Sequence, residues 1–114
     1  MIILVISIKN VLKRLFIQSS NMNIKAILFK DSDCNNCKLV QDEFINNPPM
    51  CDISICHAKH ESSINLIKKH NVNKFPTIIL INTKTNKELN RFTGFVDSQT
   101  IDNKIKEYET KHLV

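Results

Sequence analysis

Short apolar runs rich in β-branched residues alternate with amphipathic segments along the chain. The runs Ile24–Phe29 and Thr77–Ile81 are typical of buried strands. Glu88–Thr93 follows a polar turn and can pair with the preceding strand as a hairpin. Apolar and polar residues alternate over part of Cys51–Cys56, which predicts a further strand. Ile2–Ile8 is also apolar and β-branched, although its pattern alone does not exclude a buried helix.

The most clearly marked helix follows the strand Ile24–Phe29. Val40 and Phe44 lie four positions apart and give it an apolar face. The polar residues 31–33 can cap a helix that begins around Cys34. Pro48-Pro49 predicts its end, because proline lacks a backbone donor and disfavours the helical conformation of the residue before it.

Other helices are predicted from apolar spacing. One runs from about Glu61 to His70 and directs Ile64 and Ile67 inward. The last begins after a cap at Asp97 or Ser98. Its apolar stripe consists of Ile101, Ile105 and Tyr108, with His112 in line, and helical spacing also recurs at Val11, Leu12, Leu15 and Phe16.

The predicted order is βαβαβαββα. Strands that alternate with helices predict parallel crossovers, and the terminal hairpin adds antiparallel pairing, so the fold class is an α/β/α sandwich around a mixed sheet. A chain of 114 residues suits one domain, 1–114. Residues 1–22 are assigned to its first strand and helix, with a targeting segment as the alternative.

Cys34 and Cys37 are two thiols three positions apart at the predicted start of a helix. A helix N-terminus stabilises a thiolate at Cys34, and Cys37 is then placed to resolve a mixed disulfide. The same spacing also forms half of many zinc sites, so Cys34 and Cys37 could bind a metal together with Cys56, His57 or His60. A second compact ligand pair is missing, which favours redox chemistry and no bound metal.

Composition narrows the possible environments and partners. The hydrophobic content of 42% provides a core without structural disulfides, which favours a reducing, cytoplasmic location. Cys51 and Cys56 are five positions apart on a strand and point to opposite faces, so we interpret them as buried structural thiols. The four histidines lie near polar helix ends or a chain end, and most are expected to be solvated.

The net charge of +5 favours acidic protein partners. Nucleic-acid binding is not predicted, because the lysines are scattered and the aromatic residues lie mostly in apolar runs. Membrane association is not predicted either, since Ile2–Ile8 is far shorter than the about 20 apolar residues of a membrane span. We expect a monomer.

Taken together, these residues resemble a thioredoxin. The strand Ile24–Phe29, the sequence Cys34-Asn35-Asn36-Cys37-Lys38, the sequence Phe75-Pro76-Thr77 before a strand, and Gly94 before the last helix occur in the family's order and spacing. The resemblance implies a cis bond before Pro76, which would lie against the disulfide. It also implies that the Phe75 main chain pairs with an extended substrate segment and that no cofactor is needed. The glycine pair typical of glutaredoxins is missing, since Gly94 is the single glycine.

The chain departs from the thioredoxin pattern at three places. Leu28 stands where thioredoxins usually have a buried acidic residue that helps to remove the proton of the resolving thiol. Asp33 replaces the usual tryptophan, and Asn35-Asn36 replaces Gly-Pro. The Asp33 carboxylate disfavours a thiolate at Cys34, whereas Lys30, Lys38 and the helix dipole favour it, so the direction of electron flow is left open.

The sequence therefore predicts a small protein thiol-disulfide oxidoreductase whose catalytic pair is Cys34 and Cys37 and whose substrate-binding residues are Phe75 and Pro76. Its expected partners are proteins that contain disulfides and an unidentified reductase or oxidase. The alternative is a thioredoxin-fold binding module, or a zinc-holding module, whose cysteines do not turn over.

Overall fold

The structure is a computed structural model and describes residues 23–111. The predicted strand and helix within residues 1–22, and the position of His112 on the last helix, lie outside the described residues. Among residues 23–111, no helix is both long enough and apolar enough to cross a membrane.

The described residues form four strands and three α-helices. The strands are β1 (Ile24–Lys30), β2 (Asp52–His57), β3 (Thr77–Asn82) and β4 (Glu88–Thr93). The helices are α1 (Asn35–Asn46), α2 (Ile64–Lys69) and α3 (Ser98–Thr110), and a 3-10 turn, Glu61–Ser63, leads into α2. Strand β2 thus begins and ends one residue later than the sequence pattern indicates.

The strands form one mixed sheet in the order β2-β1-β3-β4. Strand β1 is parallel to β2, whereas β3 is antiparallel to both of its neighbours, β1 and β4. Helices cover both faces of this sheet, so the predicted fold class is confirmed.

The expected parallel crossover between β2 and β3 is wrong. Helix α2 has six residues, or about 9 Å of helix, which is too short to return the chain along a strand of about 20 Å. The connection therefore leaves β2 and enters β3 at the same edge of the sheet, and β3 runs in the opposite direction.

Each face of the sheet carries its own apolar cluster. Helices α1 and α3 cover the first face, whose buried residues include Leu28, Val40, Phe44, Ile101 and Ile105. Helix α2 lies on the second face, where Ile67 packs against Ile27, Phe29, Cys56, Val72, Ile79 and Ile81.

The inward orientation predicted for Ile64 is wrong, since its side chain is 43% exposed. The 3-10 turn before α2 has three residues per turn, which changes the angular position at which the α-helix begins. Ile67 packs against the second face, so only part of the predicted apolar stripe faces inward.

His70 is an exception to the expectation that most of the histidines are solvated. It lies at the end of α2 with 8% of its surface exposed, and its ring makes an edge contact with Phe29. Arg91 Nη2 donates a 2.5 Å hydrogen bond to the His70 carbonyl oxygen, and Arg91 also pairs with Glu88. The residue pattern does not show this partner, because Arg91 comes from β4.

Candidate redox site

The two motif cysteines lie where β1 passes into α1. After Lys30, a short loop leads to Cys34, which is the N-cap of α1, and Asp33 within this loop adopts a left-handed φ of 56°. Cys34 and Cys37 form a disulfide, with their Cα atoms 5.2 Å apart. The structure therefore brings together the two residues that the motif singles out.

The helix cap differs in detail from the sequence expectation. The side chain that caps α1 is that of Cys34 itself, whose Sγ accepts a 3.1 Å hydrogen bond from the Cys37 N–H. The polar residues 31–33 precede the cap, and the carboxylate of Asp31 accepts from the Ser32 N–H instead. The sulfur of Cys34 thus lies at the positive end of the helix dipole, which favours its thiolate.

The two sulfurs differ in their access to solvent. Cys34 is half-buried, whereas Cys37 is 2% exposed and packs as part of the core. A nucleophile must reach the substrate sulfur, so the arrangement suits Cys34 for attack and Cys37 for the internal step.

The loop before β3 lies next to Cys34. Its Phe75–Pro76 peptide bond is cis, and the Phe75 carbonyl oxygen lies 3.7 Å from Cys34 Sγ. Two hydrogen bonds hold this loop: Thr77 Oγ1 donates to the Lys74 carbonyl at 2.8 Å, and the Gly94 N–H donates to the Pro76 carbonyl at 2.9 Å. Phe75 and Pro76 are therefore neighbours of the disulfide.

Gly94 connects β4 to the loop before α3 and takes a positive φ of 83°. The Gly94 N–H donates to the Pro76 carbonyl oxygen, so Phe95, the next residue after Gly94, begins near the loop before β3. The Phe95 side chain is 52% exposed. The sequence analysis places the aromatic residues mostly in apolar runs, and only the structure shows that Phe95 is exposed.

A polar cavity of about 480 Å³ opens beside the disulfide. Both cysteines line it, and so do Lys30, Gln41 and His57. Lys30 Nζ donates a 2.7 Å hydrogen bond to Gln41 Oε1, and the parallel register of β1 and β2 places Lys30 beside His57. Sequence reasoning considered Lys30 only as a nearby charge and did not find Gln41, since their contact depends on how α1 packs on the sheet.

Cys51 and Cys56 lie on opposite faces of the sheet, in the first and second apolar cluster respectively, and both are free and buried. Burial, followed by the nearby carboxylates of Asp102 and Asp52, raises the pKa of the Cys51 thiol to about 12. Cys51 is therefore protonated at neutral pH and unreactive.

The zinc hypothesis has no geometric support within residues 23–111. No group of three or more His, Cys, Asp or Glu side chains in this part of the chain could hold a metal ion. His57 and His60 stack on each other with ring centroids 5.2 Å apart, and Cys56 Sγ lies 3.9 Å from the Ser63 carbonyl oxygen.

Comparison with known proteins agrees with this geometry. The family described as thioredoxin-like domain matches residues 17–109. A search of curated proteins gave no significant match.

Three solved structures illustrate the likeness in fold. A thioredoxin variant from Halobacterium salinarum has a TM-score of 0.63 at 14% identity and covers 79% of this chain and 78% of that chain. A thioredoxin-like protein from Clostridium perfringens has a TM-score of 0.62 at 19% identity, with 74% and 69% covered. Thioredoxin-2 of a malaria parasite, a component of protein secretion machinery there, has a TM-score of 0.60 at 21% identity, with 75% and 82% covered.

These identities are low, so the structural likeness shows the fold alone. The family match shows more than the fold, because it spans most of the 114 residues and includes both motif cysteines and the loop before β3. The chain belongs to the thioredoxin-like domain family.

Proposed function

We propose that this chain is a small protein thiol-disulfide oxidoreductase. One observation supports this function above the others: Cys34 and Cys37 form a disulfide at the start of α1, with Cys34 half-buried and Cys37 buried. A purely structural disulfide does not need one sulfur to be more exposed than the other. A catalytic pair does, because one sulfur must reach the substrate and the other reacts only after a mixed disulfide has formed.

In the reducing direction, the Cys34 thiolate attacks one sulfur of a substrate disulfide. A bond forms between Cys34 Sγ and that sulfur, and the other substrate sulfur leaves as a thiolate and takes up a proton. Cys37 then loses its proton and attacks Cys34 Sγ, which releases the second substrate thiol. The protein ends as the Cys34–Cys37 disulfide, two electrons have passed to the substrate, and a reductase or a small dithiol must return them.

We propose that the substrate is an extended protein segment that docks on the loop before β3. The Phe75 carbonyl oxygen lies 3.7 Å from Cys34 Sγ, so main-chain hydrogen bonds to Phe75 would hold a substrate beside the nucleophile. The exposed ring of Phe95 adds an apolar contact next to this loop. Main-chain recognition of this kind demands no particular substrate side chain and favours a broad set of proteins.

The exchange itself needs no cofactor, since both electrons reside in the dithiol. We propose a monomer that acts in a reducing compartment such as the cytoplasm, and the free thiols of Cys51 and Cys56 support this location. The proposed partners are disulfide-containing proteins and a reductase or oxidase that recycles the pair, not nucleic acid.

Reduction of insulin disulfides in the presence of dithiothreitol tests this function. The wild-type chain should accelerate the reaction, and Cys34→Ser should abolish the acceleration because the attacking sulfur is gone. Cys56→Ser is the matched control: it removes a buried thiol from the other face of the sheet and should retain activity. A wild-type chain that does not exceed dithiothreitol alone, or a Cys34→Ser variant that remains active, would contradict the proposal.

A redox titration of the pair against glutathione then fixes the direction of electron flow. A potential of about −270 mV identifies a reductant, and one of about −120 mV identifies an oxidant.

A further inference from the structure

The cavity beside the disulfide holds a lysine in a defined position. Lys30 is the last residue of β1, is half-buried, and donates its 2.7 Å hydrogen bond to Gln41 Oε1. Gln41 lies four positions after Cys37 on α1, so the two share one face of the helix. Lys30, Gln41 and Cys37 line the same cavity. Side chains on a helix lean toward its N-terminus, so the Gln41 amide that accepts from Lys30 is directed toward the turn that contains Cys37.

The internal step of the reaction requires Cys37 to lose a proton. Cys37 is 2% exposed, and burial disfavours a thiolate. Leu28, two positions before Lys30 on the same face of β1, is fully buried hydrocarbon and cannot accept that proton. Another group must therefore lower the free-energy cost of the Cys37 thiolate.

We propose that Lys30, held in place by Gln41, assists the internal step by stabilising the thiolate of Cys37. This inference rests on the proposed oxidoreductase function. The ammonium keeps its own proton throughout, and the proton of Cys37 passes to solvent through the open cavity. Cys37 Sγ then bonds to Cys34 Sγ, the bond from Cys34 to the substrate sulfur breaks, and the departing substrate thiolate takes a proton from solvent.

Other charged groups face the same cavity. Asp31 and Asp33 come from the loop, and Lys38 comes from α1. Asp33 and Lys38 are exposed, so solvent screens their charges more than that of the half-buried Lys30.

His57, from β2, also lines the cavity and is the register partner of Lys30. Its Nδ1 accepts a 3.1 Å hydrogen bond from the Lys59 N–H, so the neutral ring carries its proton on Nε2. A ring in this form presents an N–H donor, not an acceptor, at Nε2. This leaves Lys30 as the cavity cation that is both shielded and held in place.

Alkylation of Cys37 in a Cys34→Ser full-length chain tests the proposal. The rate of iodoacetamide labelling at Cys37, read by peptide mass spectrometry, is measured from pH 5 to pH 10. Adding Lys30→Met keeps the aliphatic stem and removes the charge; we expect labelling at pH 7 to fall about tenfold and the midpoint of the profile to rise by about one pH unit. Lys30→Arg should restore most of the rate, because it keeps the charge.

Lys25→Met is the matched control. Lys25 lies on the same strand and is also half-buried, but five positions away its side chain is on the opposite face. Its profile should stay within about twofold of the Cys34→Ser parent at each pH. A Lys30→Met profile that superimposes on the parent, or a Lys25→Met shift of equal size, would overturn the role of Lys30.

Gln41→Met provides an independent arm that leaves the lysine in place. Removing the Gln41 oxygen that accepts from Lys30 should shift the pH profile of Cys37 labelling in the same direction as Lys30→Met but by less. An unchanged pH profile would overturn the role assigned to Gln41. The insulin assay tests the proposed function separately from the Cys37 labelling. If the wild-type chain does not reduce insulin, the function is wrong, while the Cys37 profile still measures the effect of Lys30.

Discussion

At the scale of single residues, the four cysteines have four different surroundings. Cys34 caps a helix and is half-buried, Cys37 is buried beneath it, and Cys51 and Cys56 are buried in the two apolar clusters. Thiol reactivity depends on access and on the thiolate fraction, so these surroundings should separate the labelling rates widely.

Reduced protein treated with iodoacetamide at pH 8 should be labelled first at Cys34. Cys51 should be labelled at least about tenfold more slowly, because its pKa is raised to about 12 and its side chain is buried. Peptide mass spectrometry over time gives the order. Labelling of Cys51 or Cys56 before Cys34 would show that the assignment of the nucleophile is wrong.

His70 should make the stability of the protein depend on pH. Burial, followed by the charge of Lys69, lowers the pKa of His70 below its ordinary value, whereas Glu88 opposes this shift. The unfolded chain therefore binds the proton more tightly than the folded chain. The stability due to neutral His70 is fully present above the ordinary histidine pKa and is lost as the pH falls through the lower folded value.

Urea unfolding of the wild type and of His70→Asn at pH 7.5, 6.5 and 5.5 measures this effect. We expect the wild type to lose free energy of unfolding over this range and the variant to lose less, because asparagine cannot be protonated. His60→Asn is the control, since His60 is exposed on the surface. Parallel curves for wild type and His70→Asn would rule out His70 as the source of the pH dependence.

At the scale of the elements, a carboxylate links the two helices that cover the first face. Glu43 on α1 accepts a 2.8 Å hydrogen bond from the Ser98 N–H at the start of α3, and a 3.0 Å bond from Asn47 Nδ2 at the end of α1. Ser98 Oγ also donates to the Asn47 carbonyl oxygen. The negative charge lies at the positive end of the α3 dipole, where it is stabilising.

Glu43→Ala should therefore lower the free energy of unfolding by about 1–2 kcal/mol, since it leaves an N–H at the start of α3 without its charged acceptor. Asp42→Ala, at the exposed neighbouring position on α1, should cost no more than about 0.5 kcal/mol. Urea denaturation measures both variants. Equal losses for the two would contradict the link between the helices.

Apolar periodicity predicted most elements because each buries one face. Val40 and Phe44 on α1, and Ile101 and Ile105 on α3, are buried as their spacing predicts. Periodicity carries no information on strand direction or on partners distant in sequence. It therefore missed the antiparallel entry of β3, the pairing of Lys30 with Gln41, and the contacts of the buried His70 with Phe29 and Arg91.

At the scale of the whole molecule, the site joins segments that are far apart in sequence. Cys34 lies at the start of α1, the loop before β3 places Phe75 next to it, and the hydrogen bond from Gly94 to Pro76 connects the residue before Phe95 to this loop. The motif cysteines could be found from sequence because they lie on one helical turn. The positions of Phe75 and Phe95 relative to the cysteines could not be predicted, since they depend on the order of the strands.

The exposed ring of Phe95 should contribute to substrate binding and little to chemistry. Phe95→Ala should raise the KM for insulin several-fold and leave kcat within about twofold, because the ring is proposed to contact the substrate chain and not the reacting sulfurs. Ile45→Ala is the control, as its side chain is 67% exposed on α1 near the end opposite Cys34. An unchanged KM for Phe95→Ala would remove Phe95 from the docking surface.

The connection from β2 to β3 begins and ends at the edge of the sheet that carries the site. Residues 58–76 therefore form an excursion whose two ends both lie beside the cysteines. A change of length or sequence within its exposed part can reshape the surroundings of the disulfide while the register of β1, β2 and β3 stays the same. Because Ile67 and Val72 of this excursion pack in the second apolar cluster, only its exposed positions are free to vary in this way.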